Sequence, residues 1–72
     1  MNKYLVIQTK NGKTYIFPTN EIILEHQGEH LVVRTVDEYW SFDKVEESFV
    51  QQYLDFLSDP NLTSLLLDGV IK

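Results

Sequence analysis

The chain has 72 residues and no cysteine; 43% of it is apolar, 24% is charged, and the formal net charge is −5. That length leaves room for one small core and no second domain, which excludes most catalytic scaffolds, and the missing thiols exclude disulfide frameworks, thiolate catalysis and cysteine-type zinc sites. The acidic balance argues against direct DNA or RNA binding, which draws on counterion release by clustered basic side chains.

The charges are unevenly spread: Met1–Asn20 holds Lys3, Lys10 and Lys13 without an acid, and all eleven acids lie from Glu21 onward. In chain order, Tyr4–Thr9 and Thr14–Pro18 are β-branched and aromatic runs around Asn11-Gly12, a strong hairpin signal. A type I′ loop there sets Ile7 opposite Ile16 and Thr9 opposite Thr14, with Val6, Tyr15 and Phe17 on the other side. After a break at Pro18-Thr19-Asn20, a second hairpin is expected from Glu21–Gln27 and His30–Val36 around Gly28-Glu29, with glycine placed for a type II′ turn. Its core face carries Ile22, Leu24, His26, Leu31, Val33 and Thr35, and its other face a Glu25–Arg34 pair.

Beyond a turn at Asp37-Glu38, Tyr39–Phe42 reads as a fifth strand. The period then changes: Phe42, Val45, Phe49, Tyr53 and Phe56 recur at helical spacing, with Asp43 and Glu46 as a capping box, which predicts an amphipathic helix over 43–57. Asp59-Pro60 restarts the chain into a short helix over 60–67, ending near Gly69. The expected fold is α+β, a four- or five-stranded antiparallel sheet of two hairpins with one or two C-terminal helices packed on it. It forms a single small domain over 1–72, β-rich over 1–42.

No Gly-x-Ser-x-Gly elbow or other catalytic motif is present, so no enzyme activity is expected. His26 and His30 flank the second turn with Glu25 and Glu29 nearby, but they point to opposite faces in this register, so neither a metal site nor a cofactor is expected. The strongest functional feature is the acidic stretch around two aromatics: Asp37, Glu38, Tyr39, Trp40, Asp43, Glu46 and Glu47. Helix starts and exposed helix faces are commonly acidic, yet a face of one sign with aromatic anchors suits a basic protein partner. The apolar cluster Leu62, Leu65, Leu66 and Val70 packs on the sheet, forms a homodimer seam or captures a partner. No run approaches the ~18 apolar residues of a membrane helix and no export signal core opens the chain, so a cytoplasmic protein, bacterial or made by a phage, with no membrane partner is expected.

Two resemblances add to this reading. Gln8–Pro18, then Asn20-Glu21-Ile22 with Glu25, then His30–Thr35, resemble the opening of LytTR-type response-regulator DNA-binding domains over about half of the chain. That resemblance implies a DNA-binding regulator, here served by Lys3, Lys10, Lys13 and Arg34; no basic segment follows Phe49. Asn11-Gly12, Ile22-Ile23, Leu31-Val32-Val33 and Val45-Glu46 with Phe49 resemble the small flagellar FlbD family. The residues themselves point to a non-enzymatic protein-binding regulator, adaptor or inhibitor. A phage-encoded inhibitor of a host nucleic-acid-binding protein fits its size and charge, and a homo-oligomeric assembly protein is the further alternative.

Overall fold

A computed structural model describes residues 2–72. The first hairpin joins β1 (Tyr4–Thr9) to β2 (Thr14–Pro18). It closes through a longer loop than Asn-Gly alone implies: Thr9 N–H donates to Lys13 O at 2.9 Å, Gly12 N–H donates to Thr9 O at 3.0 Å, and Gly12 has φ +89°. Lys10 and Asn11 make the turn and Gly12 becomes a left-handed bulge residue, the usual three-residue loop. The register therefore moves by one, with Leu5 opposite Phe17 and Ile7 opposite Tyr15. This corrects the Ile7–Ile16 pairing and resolves the two faces. Leu5, Ile7 and Phe17 are buried together, while Ile16 stays 63% exposed on the far side. Gly12→Ala is expected to lower stability by about 1 kcal/mol through the left-handed backbone. An added Cβ there would meet nothing within 4 Å. A lower urea midpoint at unchanged slope would show this; an unchanged midpoint would remove the bulge argument.

The second hairpin joins β3 (Ile23–Gln27) to β4 (His30–Arg34) with Leu24 opposite Val33 and His26 opposite Leu31, the register the sequence implies. Only Gly28 of its two loop residues has positive φ, +60°, as a type II′ turn needs. β5 (Tyr39–Phe42) pairs antiparallel with β4.

The C-terminal third departs from expectation in two places. The helix α1 spans Phe49–Ser58 and does not start at Asp43. Asp43 is instead held in an antiparallel bridge to Ile71, Lys44 turns the chain at φ +64°, and buried Val45 donates its N–H to Glu29 O at 2.9 Å. Anchoring Val45 in the core takes those residues out of the helix, and Ser48, not Asp43, occupies the N-cap position. The short helix expected over 60–67 is absent; Pro60-Asn61 is a turn and Ser64–Val70 is a strand, β6, parallel to β1. Leu65 and Leu67 turn inward and Leu66 outward, so the three leucines follow a period of two. Gly69 (φ +80°) is skipped by the pairing, which runs Gln8–Asp68 and then Thr9–Val70.

The fold is thus α+β with six strands in two three-stranded sheets, ordered β2-β1-β6 and β3-β4-β5, rather than one sheet of four or five. The sheets share one core of Leu5, Ile7, Phe17, Leu31, Val33, Phe42, Val45, Phe49 and Val70. Edge-to-face contacts join them, Tyr15 to Phe42 at 5.4 Å and Phe17 to Trp40 at 5.0 Å between centroids. Phe49 and Phe56 fix the helix, Phe49 standing edge-on to His26 at 6.0 Å. Lys3 closes the helix C-terminus: its Nζ donates to the carbonyls of Phe56, Asp59 and Leu62 at 2.8, 2.5 and 2.7 Å and lies 4.7 Å from the Phe56 ring centre.

Candidate functional site

The acidic and aromatic residues singled out from the sequence are divided between two ends of β5. Tyr39 and Trp40 are neighbours on a strand and so point to opposite faces. Tyr39 is 65% exposed on the outer face, where Arg34 lies over its ring at 5.6 Å and also donates to Glu25. Trp40 is half-buried and turned inward onto Phe17. Asp43, beyond the far end of β5, accepts a hydrogen bond from His30 Nδ1 at 2.8 Å in addition to its backbone bridge. Glu46 and Glu47 lie in the turn before α1, where Ser48 donates to Glu46 at 3.4 Å.

Asp37 and Glu38 belong to a different arrangement with Trp40. The Thr35–Glu38 turn is closed by Thr35 N–H to Glu38 O at 2.9 Å and by Glu38 N–H to Thr35 Oγ1 at 3.2 Å. It projects Val36 almost wholly into solvent, 99% exposed, with Asp37 beside it. Across from it, Pro18 ends β2 and a single 3-10 turn, Thr19–Glu21, carries the chain to β3. Between the two turns lies a cleft of about 730 Å³ with Phe17 and Trp40 in its floor, Ile22 and Ile23 in its wall, and Glu21, Asp37 and Glu38 among its lining residues. Among the described residues, the acid–base side-chain contacts are His30–Asp43 and Arg34–Glu25, so these three carboxylates have no basic partner.

The sequence singled out Asp37, Glu38 and Trp40 as part of an acidic and aromatic face, without the cleft, and missed Glu21, Phe17 and Val36. The Pro18-Thr19-Asn20 break was the available signal, since it is the turn that brings Glu21 to the rim. The apolar cluster is also divided: Val70 is buried and Leu65 is packed against the core, whereas Leu62 and Leu66 are 44% and 57% exposed. Leu66 lines up with Val6 and Ile16 across the outer face of the first sheet. Of the four basic residues a DNA-binding reading would use, Lys3 is committed to the helix carbonyls and Arg34 to Glu25 and Tyr39, leaving Lys10 and Lys13 near the first loop. His26 and His30 project to opposite sides of the second sheet. Among the described residues no group of three or more His, Asp or Glu side chains is gathered for a metal ion.

Among the described residues no helix is long and apolar enough to cross a membrane. Neither a family model, nor a curated protein, nor a solved structure matches this chain, so function must be argued from the geometry of the site.

Proposed function

We propose that this chain is a non-enzymatic protein-binding regulator, adaptor or inhibitor whose partner presents a basic and apolar surface. The observation that carries this reading is the cleft between the Thr19–Glu21 and Thr35–Glu38 turns, where unpaired Glu21, Asp37 and Glu38 stand around Trp40 and Phe17. Carboxylates without intrachain partners are free to steer and pair with Lys or Arg, and a half-exposed indole beside them offers the kind of anchor that dominates interface energetics. A protein that ordinarily holds nucleic acid has the complementary charge, and a phage-encoded inhibitor of such a host protein is the biological setting that the size and charge fit.

The test is capture of a partner from bacterial lysate at low salt and at ~0.5 M salt, where the Debye length falls to about 4–5 Å. A stoichiometric partner should be held at low salt and released at high salt. The combined Glu21→Lys, Asp37→Lys and Glu38→Lys variant should lose at least tenfold in affinity for it, with its circular dichroism unchanged. Equal binding by that variant would overturn the cleft as the interface. A second reading, self-association, is favoured by the row of exposed Ile16, half-buried Val6 and exposed Leu66, and sedimentation of the purified chain separates it from the first.

A further inference from the structure

β3 is an outermost strand of its sheet. Its two-residue turn makes Gln27 and His30 a hydrogen-bonded pair, and alternation extends this to Glu25–Val32 and Ile23–Arg34. The N–H and C=O groups of Leu24 and His26 therefore face away from β4, and no backbone group of the described residues pairs with them. Beside that free edge runs a groove of about 490 Å³ between β3 and α1, formed by Ile22, Leu24 and His26 on one side and Val50, Leu54 and Leu57 on the other. The three helix residues are 45%, 53% and 40% exposed, an apolar flank left uncovered. His26 Nε2, in the same groove, is closed off from solvent and has no hydrogen-bond partner.

An open edge with four free backbone groups and an apolar trough alongside it together describe a seat for one more strand. The surrounding charge selects its sequence. Glu21 and Asp55 are the charged residues next in the chain to the groove walls that no cation of the described residues answers, whereas Glu25 is paired with Arg34 and Lys3 is engaged by the helix carbonyls. A second copy of the chain paired edge to edge about Glu25 would set like charges opposite each other, and two chains of net charge −5 repel. We propose that the free edge of β3 and the flank of α1 bind an extended segment of another protein in which apolar residues, turned into the groove, alternate with Lys or Arg. This site adjoins the acidic cleft at Ile22, but the free edge of Leu24 and His26 and the flank of α1 lie outside that cleft, so the two can be tested apart.

The probe is a blocked seven-residue peptide of alternating valine and lysine, added to the isotopically labelled full chain. At saturation the Leu24 and His26 amides should exchange with solvent at least tenfold more slowly and the His26 ring resonances should shift. The same peptide N-methylated at the amides that would face β3 should give no protection, and Leu54→Lys, at an exposed helix position, should weaken binding at least tenfold. The combined Asp37→Lys and Glu38→Lys variant, which alters the acidic cleft and none of the groove residues, should leave the protection of Leu24 and His26 in place. Absence of protection would overturn the proposal, as would shifts confined to Asp37 and Glu38 that this reversal abolishes. Displacement of the peptide by decanoate, with His26 shifted and neither amide protected by either, would make the groove a lipid pocket instead.

Discussion

A chain stopped after Ser58 is expected to be unfolded. The missing β6 is the parallel neighbour of β1 from Tyr4–Ser64 to Thr9–Val70, and β1 is the central strand of its sheet. Without it, β1 and β2 remain a two-stranded ribbon, which is marginal in water. The core loses Val70, 1% exposed, and the packing of Leu65 and Leu67. Burial of one such valine is worth roughly 1.5–3 kcal/mol and each ladder hydrogen bond about 0.5–1.5 kcal/mol. A chain of 72 residues has only ~4–11 kcal/mol of stability in total. Far-UV circular dichroism and amide dispersion would read the outcome, and cooperative melting by the shortened chain would show β6 to be an appendage. Light scattering on that chain would consequently report the behaviour of unfolded protein and not the presence or absence of a dimer seam.

Lys3→Met is expected to be the most damaging substitution at a charged residue. One ammonium answers the carbonyls of Phe56, Asp59 and Leu62, and it covers the Phe56 ring. These groups sit at and just beyond the end of α1, where backbone carbonyls lack helical partners and the dipole favours a cation. Hydrogen bonds to a charged group are worth about 1.5–3 kcal/mol each where water is excluded, but this site is only partly buried, so the loss should be roughly 2–3 kcal/mol. For a domain of this size that is a fall of roughly 10–20 °C in Tm. Lys10→Met, at an exposed loop position, should stay within about 0.5 kcal/mol. Equal effects of the two substitutions would mean that Lys3 acts only through net charge.

Local chemistry decided which parts of this structure could be read in advance. The second hairpin was legible in type and register because Gly28 falls at the one loop position that needs positive φ. The first was legible in type only. Asn11-Gly12 suits either a two-residue loop or a three-residue loop with a glycine bulge, and the second moved every pair by one. The leucine run 65–67 has no period of its own, so nothing local separates a helix from a strand there; pairing with β1 made the choice. The helix start was misplaced because the anchoring of Val45 and the Asp43–Ile71 bridge are tertiary events. For the same reason only part of the cleft could be named. Asp37, Glu38 and Trp40 are neighbours in sequence, whereas Glu21 reaches them through a turn on another hairpin. Lys3, unremarkable in sequence, acquires its role from carbonyls that only the folded chain assembles.

The parallel pairing of β1 with β6 also sets a schedule for synthesis. Tyr4 meets Ser64, a partner about 60 residues further along the chain. The first hairpin is complete at Pro18, so at the ~5–20 residues per second of translation it waits roughly 2–9 s before Ser64 begins its neighbour. The second hairpin closes locally and has no such wait. For those seconds the emerging polypeptide holds Leu5, Ile7, Tyr15 and Phe17 on a ribbon with both edges unpaired, so its first sheet is completed well after its second hairpin can close.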